Sequence, residues 1–222
     1  MRILVACEES QAVTKEFRSL NYEAFSCDLL DCSGGHPEWH IKGDALKEAY
    51  SGKYDIMVAH PPCTFLSVSG ARWLYNKDGT KNKERWRNQT NALWFVRKLM
   101  EAPIEKIAIE NPVSVISSQI RKPDQIIQPW QFGDEAQKTT CLWLKNLPLL
   151  SPTKIVTKGE FVEWLDKNGK KKKQPKWYYD ALSDANTNEE RRSIRSTTYL
   201  GIAKAMANQW SKNLPTQLKL AI

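Results

Sequence analysis

The chain carries, from residue 55 to residue 70, the stretch Asp55-Ile-Met-Val-Ala-His-Pro-Pro-Cys-Thr-Phe-Leu-Ser-Val-Ser-Gly70. It begins with a short apolar run that has the length and composition of a buried β-strand. Pro61 and Pro62 then fix the backbone of a rigid turn, because each proline ring locks φ and removes a donor. Cys63 follows at once. In open parallel sheets ligands bind beyond the carboxyl ends of the strands, so we expect Cys63 at a ligand-binding edge.

Apolar runs of the same kind recur and alternate with helical patterns, which is typical of an α/β fold. The predicted strands are 2–6, 23–27, 54–59 and 104–109. We expect helices over 11–20, capped by Ser10, over 85–101 and over 200–212, each with apolar residues on one face. The fold class expected is therefore a mostly parallel central sheet with helices on both faces.

Beyond residue 112 the pattern becomes irregular, because Pro123, Pro129, Pro148 and Pro152 divide the chain into short pieces. We expect further strands at 139–144 and 154–164. The sequence thus predicts one domain over 1–222, with a basic insertion at about 150–198.

The formal net charge of +8 favours a polyanionic partner, since lysine and arginine gain from the release of phosphate counterions. Residues 167–177 carry six lysines and no acid. Residues 72–87 mix arginines and lysines with Trp73, Tyr75 and Trp86, as suits phosphates and stacked bases. For the run Lys170, Lys171, Lys172 and Lys173, a solvated hairpin without a ligand is an equal alternative.

Several other classes of protein are disfavoured by the composition. Five cysteines without C-x-x-C spacing argue against a disulfide framework and a zinc ribbon, and three histidines leave no short metal-binding motif. No apolar run approaches the roughly 20 residues of a membrane span, and the N-terminal run is too short for a signal peptide. We expect a cytoplasmic protein without metal or membrane partner, a monomer or a weak dimer.

A second chemical group lies in Ile107-Ala-Ile-Glu110-Asn111-Pro112, where an acid ends the next predicted strand. Glu110 is expected on the same sheet edge as Cys63, partly desolvated, with a raised pKa that keeps a proton for donation. Cys63 alone could be one more small buried residue, and Glu110 alone a loop contact. A thiol and an acid on one edge favour catalysis.

The chain resembles the DNA cytosine-5 methyltransferases, whose nucleophile motif is Pro-Cys after a strand and whose acid motif is Glu-Asn before a small residue. It is most similar to the compact single-domain members common in phages and prophages. The segments that carry the resemblance, in order, are VACEESQ (5–11), SCDLLD (26–31), IKGDAL (41–46), AHPPCTFLSVSGARWLY (59–75), IAIENP (107–112), IIQPWQFGDEAQKTTCLWLKNLPLLSPT (126–153) and RSTTYLGIAKAMANQW (195–210).

The resemblance implies a Rossmann-like methyltransferase fold that uses S-adenosyl-L-methionine. Cys63 would add to carbon 6 of cytosine, while Glu110 would assist at ring nitrogen 3. The residues implied to bind the cofactor are Ala6, Cys7, Glu8, Ser10, Gln11, Asp28, Leu29, Asp44, Ala45, His60 and Pro61. Asp28 would contact the ribose and Asp44 the adenine amino group, although Asp44 also suits a helix N-cap.

On the substrate side we expect DNA, with duplex favoured over single strands. The residues expected to contact it are Pro62, Ser67, Arg72, Trp73, Asn111, Lys138, Lys170, Lys171, Lys172, Lys173 and Arg195. The chain departs from the larger enzymes in three respects: its first loop (7–11) has no glycine, it lacks their Gln-x-Arg-x-Arg motif, and it has no large target-recognition domain. Sequence specificity is therefore expected to be weak or short.

Two alternatives stay open from the sequence. The same chemistry could act on RNA, single-stranded DNA or a free pyrimidine nucleotide. A nucleic-acid-binding protein on a decayed methyltransferase fold would explain the altered first loop, but not the retention of Cys63 and Glu110.

Overall fold

The apolar runs form the strands of a central sheet in a computed structural model, which describes residues 1–183, 186–187, 190 and 198–211. The strands are β1 (Arg2–Ala6), β2 (Glu23–Asp28), β3 (His40–Lys42), β4 (Ile56–Ala59), β5 (Lys106–Asn111), β6 (Gln125–Ile127), β7 (Thr140–Lys145), β8 (Phe161–Leu165) and β9 (Lys171–Pro175). The α-helices are α1 (Ala12–Ser19), α2 (Ala45–Ala49), α3 (Lys83–Met100), α4 (Ile116–Gln119), α5 (Lys176–Ser183) and α6 (Leu200–Ser211).

The central sheet has seven strands in the order β3-β2-β1-β4-β5-β7-β6. The first five are parallel, and β7 pairs antiparallel with β5 and β6. The chain winds outward from β1 to β3 and then returns to place β4 on the other side of β1. In open α/β sheets, ligands bind at the carboxyl ends of the strands on either side of such a reversal, which are β1 and β4 in this chain.

The two faces of the sheet bury separate apolar clusters, because successive strand side chains point to opposite sides. Ile3 and Val5 of β1 lie in the cluster that α1 and α6 cover. Leu4 and Ala6 lie in the opposite cluster, with residues of α2 and α3. The predicted Rossmann-like α/β class, with a mostly parallel sheet between helices, is confirmed.

The helix after β1 begins differently from the prediction. Ser10 does not cap it; Gln11 occupies the N-cap position in a left-handed conformation and makes no side-chain cap bond. Glu8 supplies the acceptors instead, since its Oε1 accepts from the Val13 backbone N–H at 2.6 Å and its Oε2 from Thr14. A carboxylate at this end is favoured by the helix dipole.

The basic insertion is only partly regular. The strand predicted at 154–164 is wrong over most of its length, because residues 155–160 form no ladder and β8 begins at Phe161. β8 and β9 form a separate two-stranded antiparallel sheet, followed directly by α5. Across residues 1–183 and 198–211, no helix combines the length and apolar character needed to cross a membrane.

Candidate active site

Cys63 and Glu110 are placed at one edge by adjacent parallel strands. β4 and β5 pair in a register that sets Ala59 opposite Ile109. The residues that follow, His60 and Glu110, therefore leave the sheet side by side. Cys63 comes three residues later, at the start of a 3-10 turn over Cys63–Phe65, and is half-buried.

Glu110 contacts His60 in a largely buried ion pair. The His60 Nδ1 lies 3.0 Å from the Glu110 Oε2, and the two side chains are only 11% and 21% exposed. Burial alone would raise the pKa of Glu110, but the hydrogen bond and charge of His60, with Lys138, lower it below its ordinary value. The expectation of a raised pKa is thus wrong, because the pairing of β4 with β5 brings His60 beside Glu110.

The turn that carries Cys63 is tied to β5 by Asn111. This side chain is 1% exposed, and its Nδ2 donates to the Pro61 carbonyl at 2.7 Å. Further along, the Val68 N–H donates to the Val113 carbonyl and the Val115 N–H to the Leu66 carbonyl. The loops after β4 and β5 therefore form one connected unit, which fixes the thiol relative to the acid.

Helix α3 supports the same turn from the side through two residues that the sequence analysis missed. The Arg85 Nη2 donates to the Thr64 carbonyl at 2.8 Å, and its guanidinium lies 4.7 Å from the centre of the Phe65 ring. The Gln89 Nε2 donates to the Phe65 carbonyl at 3.1 Å. Only their position at the start of a helix that follows the loop could have pointed to them.

Lys138 approaches the acid from the strand on the far side of β5. It lies just before β7, and its charge lowers the pKa of both Glu110 and His60. Its Nζ is 5.7 Å from the centre of the Tyr199 ring. The adjacent Gln137 carbonyl accepts from the Trp177 indole at 3.2 Å, so the end of the basic insertion packs beside this cation.

The turn after β1 uses its side chains largely within the protein. Both carboxylate oxygens of Glu8 are occupied at the start of α1, and Glu8 is 4% exposed. The Gln11 amide donates to the His36 carbonyl and accepts from the His36 N–H. Gly34 lies so close to Ser10 and Gln11 that a Cβ there would collide with both. A contact with a ligand would thus fall mainly to the backbone of this turn.

The carboxylates of Asp28 and Asp44 both act on Cys7, which follows β1. Asp28 ends β2, and the Gly43 N–H just before Asp44 donates to the Asp28 carbonyl at 2.8 Å. Burial is the largest cause of the raised pKa of the Cys7 thiol, and the charges of Asp28 and Asp44 raise it further. Asp28 accepts from the Leu30 N–H at 2.9 Å, while Asp44 is the N-cap of α2 and accepts from the Leu46 N–H at 2.8 Å.

The neighbours of these acids differ in exposure. Leu29 is 73% exposed, Ala45 is buried within α2, and Ala6 is fully buried in β1. An exposed apolar side chain beside two acids can cover a ring whose polar edge the acids bind. Of the small residues predicted for the cofactor, Ala6 and Ala45 contribute packing at this edge.

The predicted substrate residues on the Cys63 loop face outward. Pro62 is exposed, and Ser67 caps the 3-10 helix Val68–Leu74 by accepting from the Ser69 N–H. Trp73 is 54% exposed, with the Arg72 guanidinium 4.6 Å from the centre of its ring. An exposed indole paired with a cation offers a stacking surface on the helix that follows the Cys63 turn.

The lysine run lies on the β8–β9 hairpin, away from the central sheet. Lys170 precedes β9, and the other three lysines are exposed on it. Lys172 lies 3.6 Å from Asp166 and Lys173 3.2 Å from Glu163, so acids of the same hairpin offset part of its charge. Arg195, also predicted to bind DNA, lies outside the described residues.

The described part of the chain contains no group of three or more histidine, cysteine, aspartate or glutamate side chains arranged to hold a metal ion. The rim, which is the sheet edge after β4 and β5, carries Cys63, Glu110, His60 and Lys138. The chemistry available there is that of a thiol, a carboxyl group, an imidazole and an ammonium group.

No protein-family model matches the chain, and no curated protein matches it in sequence. Among solved structures it is similar to a prophage-encoded E. coli protein assigned as a DNA modification methyltransferase, with a TM-score of 0.43 and 11% identity. It is also similar to the Dnmt2 methyltransferase of S. pombe, with a TM-score of 0.41 and 15% identity. These matches cover 82% and 67% of this chain, which spans 64% and 50% of the two proteins. The residues of the rim, and not these likenesses, therefore indicate a function.

Proposed function

We propose that the chain is a cytosine carbon-5 methyltransferase that uses S-adenosyl-L-methionine and acts on DNA. The observation that carries the proposal is the joint placement of Cys63 and Glu110 on adjacent strand ends, linked by the Asn111–Pro61 hydrogen bond. A nucleophile and an acid held at one edge can act on two atoms of one ring. The carboxyl end of β4, where the strand order reverses, lies next to them.

Cys63 would form a bond from its sulfur to carbon 6 of cytosine, which moves the electrons of the carbon 5–carbon 6 double bond into the ring. Glu110 would deliver a proton to ring nitrogen 3 and so take up the charge that develops there. Carbon 5 then has the electron pair needed to accept a methyl group. Loss of the carbon-5 proton to water restores the double bond and releases the thiolate.

S-adenosyl-L-methionine would supply the electrophilic methyl group. The residues at the β1–β2 edge fit this group: Asp28 and Asp44 bring two carboxylates together beside Cys7, and Leu29 is exposed next to them. Ribose hydroxyls and an adenine amino group are donors that need such acceptors. Ala6, Cys7, Glu8, Ser10, Gln11, Ala45, His60 and Pro61 complete the expected set.

Nucleic acid is favoured as the substrate because the described residues include two basic surfaces. One is the Arg72–Trp73 pair on the 3-10 helix that follows the Cys63 turn, and the other is the β8–β9 hairpin. Lys138 adds a cation whose charge acts on Glu110. Duplex DNA requires that the target base be flipped out, at a cost of a few kcal/mol. Trp73 would stack on the extruded base.

The test is transfer of a labelled methyl group from S-adenosyl-L-methionine to mixed-sequence duplex DNA. Cys63→Ser should abolish labelling, and Glu110→Gln should lower it by roughly 10²- to 10⁴-fold, the range for loss of a general acid. Labelling by Cys63→Ser equal to that of the wild type would refute the mechanism. Parallel reactions with single-stranded DNA, RNA and free cytidine nucleotides test the alternative substrates.

A second measurement tests the covalent step itself. In DNA that contains 5-fluorocytosine, fluorine occupies the position from which a proton must leave, so the thiol–base adduct persists. The wild type should migrate as a DNA conjugate on a denaturing gel, and Cys63→Ser should not. If calorimetry detects no binding of S-adenosyl-L-methionine to the wild type, the decayed nucleic-acid-binding alternative is favoured.

A further inference from the structure

His60 is buried beside Glu110, and none of the bond-forming steps above gives it a role. Its Nδ1 is 3.0 Å from the Glu110 Oε2, and its backbone N–H donates to the Ala6 carbonyl at 2.9 Å. Three charged groups act on it from three elements: Glu110 at the end of β5, Glu8 in the turn after β1, and Lys138 before β7. Two of these are acids, so the site favours a cation.

We propose that His60 is a positioning residue that holds the catalytic proton and supplies it to Glu110. The inference rests on the proposed function, because it concerns the acid of that reaction. It differs from the role implied by the resemblance, in which His60 lies in the cofactor set.

The contact geometry favours a stored proton over a merely structural contact. An imidazole this deeply buried would ordinarily be neutral, since burial lowers its pKa. Here the hydrogen bond and charge of Glu110, with the charge of Glu8, outweigh burial and the repulsion of Lys138, so the pKa of His60 is raised overall. The raised pKa of His60 and the lowered pKa of Glu110 both favour the ionised form of the pair, an imidazolium beside a carboxylate.

The other ring nitrogen shows why this proton can leave. The His60 Nε2 is buried and has no hydrogen-bond partner among the residues that the structure describes. A buried imidazolium with an unpaired N–H is poorly solvated, so only the adjacent carboxylate holds its charge in place. When a bound base excludes water and offers an acceptor, transfer of the proton becomes favourable.

The proton moves in two transfers, first from His60 to Glu110 and then from Glu110 to the base. The Nδ1–H bond breaks and an O–H bond forms on Glu110, which leaves both groups neutral. As the Cys63 sulfur bonds to carbon 6, this O–H bond breaks and an N–H bond forms on ring nitrogen 3. Glu110 is again a carboxylate, and the positive charge has moved from His60 to the ring, where it offsets the thiolate electrons. The proton returns by the same path when the thiolate leaves.

The first experiment follows the ring signals of the three histidines by NMR against pH, in the protein without cofactor or DNA. His60 should titrate above its ordinary value of 6.5 in the wild type and below it in Glu110→Gln, where burial acts without the carboxylate. A His60 titration that is unchanged by Glu110→Gln would overturn the proposal.

The second experiment measures methyl transfer against pH for His60→Gln, whose amide keeps a hydrogen-bond donor but holds no transferable proton. We expect a loss of roughly 100-fold in kcat near pH 8, the lower end of the range for general acids. The loss should be much smaller near pH 5.5, where Glu110 can take a proton from water, and KM should stay within about twofold. A loss equal at every pH would indicate a structural role and refute the proposal.

His36→Gln is the matched control, because His36 also contacts a glutamate, Glu38, at 3.1 Å, but on the surface. It should leave the pH profile of the wild type unchanged. The two proposals fail separately. Labelling that survives Cys63→Ser removes the methyltransferase mechanism, whereas the NMR titration of His60 needs no activity and decides the proton pair by itself.

Discussion

The Cys63 rim and the β8–β9 hairpin carry the chemistry and the charge of this protein, and they are stabilised in opposite ways. At the rim, His60, Glu110 and Asn111 are largely buried and bond to one another or to the turn that carries the thiol. On the hairpin, Lys172 and Lys173 face solvent and pair with nearby acids. Buried pairs fix geometry, whereas exposed pairs contribute little and are screened by salt.

This difference indicates how the two regions should respond to change. The polar groups of the rim bond to one another, so loss of one side chain leaves another buried without its hydrogen bond. On the proposed function, the hairpin lysines would contact phosphates additively, so each could be lost at a modest cost. Perturbations at the rim should therefore change stability and rate, and perturbations on the hairpin only affinity and its dependence on salt.

The largest effect on stability is expected from Glu110→Gln. Because the pKa of His60 is raised, its contribution to the free energy of unfolding is complete below pH 6.5 and is lost as pH rises through the folded pKa. Because the pKa of Glu110 is lowered, its contribution is complete above pH 4.5 and is lost as pH falls through its own folded pKa. The variant should thus lose about 1.5–3 kcal/mol near pH 5.5 and less at alkaline pH, as measured by urea unfolding.

Glu38→Gln removes the exposed partner of His36 and should not measurably change the unfolding midpoint at either pH. A destabilisation by Glu110→Gln that is independent of pH would show that the pair is not ionised, and the contrast between buried and exposed pairs would then lose its basis.

A smaller effect is expected from Asn111→Ala, which removes the donor to the Pro61 carbonyl. Because the turn then loses its tie to β5, Cys63 shifts relative to Glu110, and kcat should fall roughly tenfold with little change in KM. Asn208→Ala removes a similar amide–carbonyl bond, to Lys204, on the exposed side of α6 and should leave kcat unchanged. Equal rates for both variants would exclude a positioning role for Asn111.

On the hairpin, Lys171→Gln and Lys173→Gln form a matched pair, two residues apart on β9. None of the ion pairs among the described residues includes Lys171, whereas Lys173 pairs with Glu163. DNA affinity at about 0.15 M salt should fall roughly fivefold for Lys171→Gln, the value of one phosphate contact, and about twofold for Lys173→Gln. Fluorescence anisotropy over a salt series measures both; identical losses would show that Glu163 does not neutralise its partner.

The smallest effect is expected from Glu163→Gln, which releases Lys173. Affinity for DNA should rise by no more than about twofold, with a steeper dependence on salt, because one more cation can reach a phosphate. Methyl transfer at saturating DNA should not change. A fall in affinity would mean that the acid orders the hairpin for binding.

The sheet could be predicted from the sequence because its strands are buried on both faces and read as continuous apolar runs. The predicted strand 2–6 coincides with β1, and the predicted strand 104–109 begins and ends two residues before β5 does. β3 and β6 were missed, since each is only three residues long and at the margin of the sheet. Such strands are defined by their neighbours and not by their own composition.

The site could be predicted less completely. Cys63 and Glu110 could be proposed because strand-end chemistry is visible in the sequence. The pairing of His60 with Glu110 depends on the register between β4 and β5, which no local pattern encodes. Arg85 and Gln89 were missed for a similar reason: their bonds go to backbone carbonyls of a loop some 20 residues earlier. Tertiary hydrogen bonds to main-chain atoms leave no residue-type signal.

The pairing of Ala59 with Ile109 has a consequence for any change in chain length. Inserting or deleting one residue within β5 would turn Glu110 toward the opposite layer and present Asn111 or Ile109 in its place, since the pleat alternates with each residue. Substitutions along this strand can be absorbed by repacking, but a shift in frame by a single position cannot. The ladder between the two strands thus fixes the spacing between His60 and Glu110. This spacing tolerates substitutions far better than insertions or deletions.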